Sequence, residues 1–220
     1  MVMAEATNHY FKHLGVSDGL SQVCIPSIYQ DELGAVWLGT TEGLNRYNGK
    51  DVRVFQPSES NHGLTNNEIN ELCGDKNGRM YIRSGNDLIK LDIYTEQFTC
   101  LRQKGVYGLF CKKDTLWVSC ADGIYYYTGQ GTELTFFARV QKGFVGRALY
   151  VDRETVWVVT RKDLVAISRE DPLRQEILLT LDKGNCILGD SSGNIWVGAW
   201  NGLYRVSPDR ETTAYVSHSG

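Results

Sequence analysis

Apolar residues along this chain come in short runs, and Gly, Asp and Asn separate the runs. Ile25 to Gln30 is one such run, and it ends at Asp31-Glu32-Leu33-Gly34. Ala35 to Thr40 follows, then a break marked by Gly43, then Leu44 to Tyr47 and Asp51 to Phe55. Short β-branched and aromatic runs bounded by turn residues predict strands rather than helices. Asp first and Gly fourth are the favoured places of those residues in a type I turn. Asp75-Lys76-Asn77-Gly78 and Asp190-Ser191-Ser192-Gly193 repeat that turn. In Leu149-Tyr150-Val151 and Thr155-Val156-Trp157-Val158-Val159 apolar residues succeed one another without alternation. Such strands predict sheets covered on both faces. Helical spacing is weak throughout.

One sixteen-residue pattern occurs twice, as GAVWLGTTEGLNRYNG from Gly34 and GNIWVGAWNGLYRVSP from Gly193. Gly34, Trp37, Gly39, Gly43, Leu44 and Arg46 meet Gly193, Trp196, Gly198, Gly202, Leu203 and Arg205. Weaker copies start at Gly78, Asp114 and Glu154, with marker aromatics Tyr81, Trp117 and Trp157. The five markers are separated by 44, 36, 40 and 39 residues. A period near 40 is the length of one four-stranded propeller blade. The expected fold is therefore all-β, a propeller of four-stranded antiparallel blades over about 23–56, 67–102, 106–140, 146–181 and 185–217. The period also assigns Asn67 to Leu72 to a strand, although Ile69 and Leu72 are three apart as on a helix. Residues 9–15 read as a lone outer strand and 1–8 as a leader remnant or disordered segment. Each marker aromatic is expected to wedge between blades. The turn positions Asp31, Gly34, Asp75, Gly78, Asp190 and Gly193 are expected to be structural. Trp200 differs from the markers, because it replaces Thr41 in a turn.

Composition narrows the function classes. The 220 residues carry 23 Gly but only 4 Pro, with 12 Tyr and 5 Trp, which suits many turns between aromatic-rich strands. The net charge is −3 and no Lys/Arg run stands out, so the electrostatic footprint of a nucleic-acid binder is missing. No run approaches the roughly 20 apolar residues of a membrane-spanning helix. Six cysteines, at 24, 73, 100, 111, 120 and 186, show neither CxxC nor Cys/His metal spacing. Cys73, Cys111 and Cys186 lie in apolar runs and read as buried free thiols. Cys111 and Cys120 fall on adjacent strands but diagonally, so a bond between them is not expected. Val2-Met3-Ala4 resembles the end of a secretory leader, with cleavage expected after Ala4; an ordinary cytosolic start is the alternative.

Ile28, Asp31, Gly34, Trp37, Gly39, Thr40, Gly43, Leu44, Arg46 and Tyr47 spell a pattern that resembles the two-component regulator propeller repeat. The opening Phe11 to Gln22, running into Ser27 to Gly49, is similar to the start of the sensor region of hybrid two-component system proteins of gut Bacteroidetes. The likeness is strong in the first and last units. It is weak in the third and fourth, which lack the Asp-x-x-Gly turn and the Arg-Tyr ending. The resemblance implies seven-bladed propellers in the periplasm, followed by a β-sandwich, a membrane helix, a histidine kinase and a response regulator. It also implies an oligosaccharide ligand. Under the scaffold reading a homodimer is the expected partner, and no cofactor is expected. Seven blades need roughly 280 residues, so an incomplete ring is expected, with a closed five-bladed ring as the rival.

Candidate chemistry is sparse. Gly15-Val16-Ser17-Asp18-Gly19 matches the nucleophile elbow, but that motif needs a strand before it and a helix after it. His9, His13, His62 and His218 share no ligand spacing, and no metal site is expected. In propellers the second-to-third-strand turns and the inter-blade links share one rim. That rim would carry Glu42, Asn86, Asp122, Arg161, Lys162, Trp200 and Asn201, the candidate ligand-binding residues. Arg46 and Arg205 would brace the blades. Three functions stay open: a glycan-sensing input module, a non-enzymatic scaffold for protein partners or dimerisation, and a propeller enzyme similar to streptogramin lyases.

Overall fold

A computed structural model describes residues 13–57, 63–140 and 146–215. The described residues fold into five sheets. The first holds β1 (Ser27–Gln30), β2 (Val36–Thr40), β3 (Gly43–Tyr47) and β4 (Val52–Phe55). The second holds β5 (Ile69–Gly74), β6 (Arg79–Ser84), β7 (Asp87–Asp92) and β8 (Gln97–Arg102). The third holds β9 (Val106–Lys112), β10 (Thr115–Cys120), β11 (Gly123–Tyr127) and β12 (Thr135–Ala138). The fourth holds β13 (Ala148–Val151), β14 (Thr155–Val159), β15 (Asp163–Ser168) and β16 (Gln175–Thr180). The fifth holds β17 (Cys186–Gly189), β18 (Ile195–Ala199), β19 (Gly202–Val206) and β20 (Thr212–Tyr215). Every sheet is an antiparallel meander in chain order. The sheets are propeller blades, as the period predicts.

The register explains the marker aromatics. Each sits on the second strand in one cross-strand row: Tyr29-Trp37-Arg46, Cys73-Tyr81-Lys90, Phe110-Trp117-Tyr126, Tyr150-Trp157-Ala166 and Leu188-Trp196-Arg205. The ladders of the first and fifth sheets are uninterrupted, whereas the three middle sheets carry bulges. The irregular ladders thus lie where the sequence copies are weak. A bulge adds one residue to one strand, and that insertion blurs a fixed-spacing pattern.

The Asp-x-x-Gly turn has a second task. Asp31 accepts bonds from the Leu33 and Ala35 amides on Oδ1, at 3.0 and 2.8 Å, and from the Trp37 indole on Oδ2 at 2.7 Å. One carboxylate therefore closes the turn and fixes the wedge. Asp190 does the same for Ser192, Asn194 and Trp196. In the second blade the wedge is a Tyr, and Asp75 pairs with Arg79 instead. The fourth blade keeps the device: Asp152 accepts from the Trp157 indole at 2.6 Å. Its turn is one residue shorter, so the spacing in the sequence hides it. Gly34, Gly78 and Gly193 take positive φ of 86°, 86° and 82°, which explains Gly at the turn's fourth place.

Four apolar cores join the five blades. Trp37 packs into the second blade, Tyr81 into the third, Trp117 into the fourth and Trp157 into the fifth. Among the described residues no core joins the fifth blade to the first, so the blades form an open arc. Residues before β1 cover part of the first blade's other side: Leu20 is buried, and the Ser21 amide bonds to Asn45 Oδ1 at 2.9 Å. Of the lone strand expected over 9–15, residues 9–12 lie outside the described residues, and His13 to Gly15 are irregular. His62 and His218 also lie outside them. Val16–Asp18 is a single 3-10 turn with Ser17 exposed and neither strand nor helix beside it, so the Gly15–Gly19 motif is no nucleophile elbow.

Candidate functional site

The first strands of the blades, β1, β5, β9, β13 and β17, pack beside one another in that order and line a central lumen. The lumen has a volume of about 930 Å³. One rim of it is built as the repeat implies, from second-to-third-strand turns and the links that precede the first strands. Backbone bonds tie the two: Gly43 N to Asn67 O at 2.8 Å, Ala121 N to Gly105 O at 2.8 Å, and Trp200 N to Asp182 O at 2.9 Å.

All seven candidate ligand-binding residues occupy these turns, but they do not converge as one set. Arg161 and Trp200 line a common cleft of about 490 Å³ with Arg147, Lys183, Asn185 and Cys186. Lys162 faces an adjoining hollow shared with Asp163, Asp182 and Lys183. Asp122 is occupied by Arg102 at 2.7 Å and by the Tyr125 hydroxyl at 2.9 Å. Glu42 and Asn86 use their carbonyls to hold Gln56 and the Val106 amide. Asn201 is exposed and lines none of these clefts.

Trp200 is 77% exposed, with Lys183 Nζ 4.8 Å from its ring centroid. A cation over an indole face holds the ring in place without covering its edge. The cleft at Trp200 and the lumen share Arg147, Arg161, Asn185 and Cys186, so they form one continuous space. Deeper in the lumen lie Glu71, Arg83, Asn70 and Tyr107. Glu71 Oε2 accepts from the Leu109 amide at 3.1 Å and from Arg83 Nε at 3.4 Å. Burial nevertheless pushes the Glu71 carboxyl up to about 7, against the pull of Arg83 and the Leu109 amide. Arg147, Lys183, Asn185, Glu71 and Arg83 were not expected here. They sit on first strands, second strands and links, whereas the turns between second and third strands carried the expectation.

The thiols also differ from expectation. Cys186 is exposed because β17 faces the open space of the cleft. Cys120 is buried, and Cys111 stands opposite Leu116, remote from Cys120 in register. The neighbour of Cys111 is Cys73, with 2.9 Å between the sulfurs. Among the described residues no group of three His, Cys, Asp or Glu could hold a metal ion.

Residues 19–42 match the family model of the two-component regulator propeller. Over those residues the chain is similar to the two-component regulator propeller repeat. A 53-residue stretch is 38% identical to histidine kinase P4 of Formosa agariphila, which covers 24% of this chain and 4% of that protein. The fold resembles the extracellular domain of a B. thetaiotaomicron protein described as a hybrid two-component system, with a TM-score of 0.81 and 22% identity. That likeness covers 93% of this chain and 32% of the other, so the chain spans about a third of that domain. Streptogramin B lyase gives a TM-score of 0.69 at 16% identity, over 92% of this chain and 72% of the lyase. Among the described residues no helix is long and apolar enough to cross a membrane.

Proposed function

We propose that this chain is a non-enzymatic input module of a two-component sensor, placed outside the cytoplasm, and that it takes an oligosaccharide at the rim beside Trp200. The observation that carries the reading is the cleft at Trp200. An exposed indole face stands beside guanidinium, ammonium and amide groups. Sugar rings offer an apolar face to the first and hydroxyls to the others. The repeat at 19–42 and the kinase relative support the sensor part. Further blades, a β-sandwich and a membrane helix of the same polypeptide are its expected neighbours. The cleft favours binding over catalysis. A virginiamycin B lyase of similar fold is described as inactive after one His-to-Ala change. Among the described residues no His lines the cleft or the lumen, and His13 is exposed elsewhere.

Calorimetric titration of the full extracytoplasmic region with a panel of oligosaccharides tests the reading. Binding that weakens at least about tenfold on Trp200→Ala is expected. A second reading, a scaffold or dimerisation module, is favoured by the uncovered apolar face of the fifth blade, where Leu188, Leu203 and Tyr215 are exposed. Silence with every oligosaccharide, together with concentration-dependent self-association, would select it.

A further inference from the structure

We infer that the ligand of this rim is an anionic oligosaccharide, one that presents carboxylate or sulfate groups to Arg147 and Arg161. The inference rests on the oligosaccharide reading above and names its chemical class. Arg147, Arg161 and Lys183 line the cleft at Trp200, and among the described residues no Asp or Glu lines it with them. Among the described residues neither the Arg147 nor the Arg161 guanidinium has a hydrogen-bond or ion-pair partner. Arg139, Arg153, Arg169, Arg174 and Arg205 also make no ion pair among the described residues, but none of them lines the cleft, so Arg147 and Arg161 are set apart by sharing it. Six other arginines are engaged. Arg46, Arg53, Arg79, Arg83, Arg102 and Arg210 each pair with a carboxylate.

The one acid among the described residues that line the lumen, Glu71, is already engaged by Arg83 and an amide, so it does not neutralise the two guanidiniums. Asp163 and Asp182 line the adjoining hollow, but Lys162, Lys183 and Arg161 line it with them. Cation therefore exceeds anion at the mouth although the whole chain has a net charge of −3. A concave surface of one sign concentrates ligands of the other. Guanidinium presents two parallel N–H groups to a pair of oxygens, which suits planar carboxylate and two oxygens of tetrahedral sulfate alike. Trp200 supplies the stacking face for the ring that bears the anion.

Calorimetry with three probes on the full extracytoplasmic region tests this: trigalacturonate, a chondroitin sulfate tetrasaccharide and maltotetraose. At least one acidic probe is expected to bind about tenfold or more tighter than maltotetraose. That binding should weaken between about 0.05 M and about 0.5 M NaCl and should fail in Arg147→Gln/Arg161→Gln. The trigalacturonate and chondroitin arms say whether carboxylate or sulfate is preferred. Maltotetraose binding as tightly, lost on Trp200→Ala but unchanged by the double arginine substitution, would overturn the anion while leaving the sensor reading intact. No binding of any probe would remove both. Acidic binding that ignores the arginines would overturn the site.

A separate observation carries a second proposal: Cys73 and Cys111 form a disulfide that staples the second blade to the third. The two lie on adjacent first strands, and their sulfurs are 2.9 Å apart, against about 2.05 Å in a disulfide. The oxidant is a disulfide-bearing thiol oxidoreductase. One thiolate attacks its disulfide, forming a mixed disulfide and releasing a thiol. The other thiolate then attacks the protein sulfur and expels the second oxidant thiol. Two electrons and two protons pass to the oxidant. Peptide mapping of the full protein isolated from its native host, alkylated without reductant, should yield a linked Cys73–Cys111 peptide, with the other four of this chain's six cysteines alkylated. Alkylation of all six, with Cys73 and Cys111 recovered separately, would overturn the staple.

Discussion

The first and fifth blades are written in nearly the same words, yet the structure treats them differently. Trp37 and Leu44 are fully buried and Phe55 is 2% exposed, all against the second blade. Their counterparts on the fifth blade are Trp196, Leu203 and Tyr215. Trp196 is half-buried and stacks on Tyr215 at 5.9 Å, while Leu203 and Tyr215 are 43% and 47% exposed. Arg46 reaches Glu96 of the next blade at 3.2 Å, whereas Arg205 has no ion pair among the described residues. The repeat therefore encodes one half of an interface. Its apolar face is complete only when another sheet follows.

The largest test of this contrast is a pair of truncations. Leu44→Ala should cost about 3 kcal/mol, because it opens a cavity between two blades. Leu203→Ala in the 220-residue chain should cost less than about 1 kcal/mol, since the side chain is already in water. Urea denaturation of both variants measures the gap. Equal costs would break the comparison. In a protein where a sixth sheet covers this face, the Leu203→Ala cost should rise to match the first.

The Asp device comes next. Asp31→Ala strands two amides and an indole donor, and should cost about 2–3 kcal/mol. Asp152→Ala should cost a similar amount, since it leaves the Glu154 and Thr155 amides and the Trp157 indole without an acceptor. A negligible loss at Asp152 would show that the shortened turn is only an echo of the first.

These two tests mark where the sequence was legible. The five blades, their four strands and the shared rim could be read from Trp37 to Trp196, because the fold repeats one spacing and each copy votes for the same register. Asp152 could not be read so easily, since a single deleted position moved it out of the pattern. Arg147, Lys183 and Asn185 were harder still. They are unremarkable at their own places in the chain, and only the curvature of the arc brings them beside Arg161 and Trp200. Asp122 shows the reverse case: its turn lies on the same rim, but Arg102 holds its carboxylate. The Cys73–Cys111 proximity spans two blades and follows from packing between first strands, which no local spacing reveals.

A smaller effect separates turn chemistry from packing. Gly34 and Gly193 hold φ of 86° and 82°, and a Cβ at Gly34 would meet nothing within 4 Å. A Cβ at Gly193 would lie 3.3 Å from Pro208 Cγ. Backbone strain therefore dominates at both, and each Gly→Ala should cost about 1 kcal/mol. Equal losses measured by thermal unfolding would mean that the turn is the same device in a covered blade and an uncovered one. A much larger loss at Gly34 would mean that packing leaks into the turn.

The weakest handle is acid. Bonds from the Trp196 indole and the Asn194 side chain hold the Asp190 carboxyl down to about 2. In the unfolded chain the same group titrates near about 4. Between those values the unfolded chain takes up a proton that the folded one refuses, so stability falls as pH drops from about 4 to about 2. Above that window the contribution is complete and constant. Asp190→Asn has no such proton to take up, so the advantage of the wild type over it should shrink through the same window. Urea midpoints of the two proteins at a series of pH values measure this. A difference that stays constant down to pH of about 2 would mean that the indole bond of the fifth blade is not made in solution. The uncovered blade would then have lost its turn as well as its neighbour.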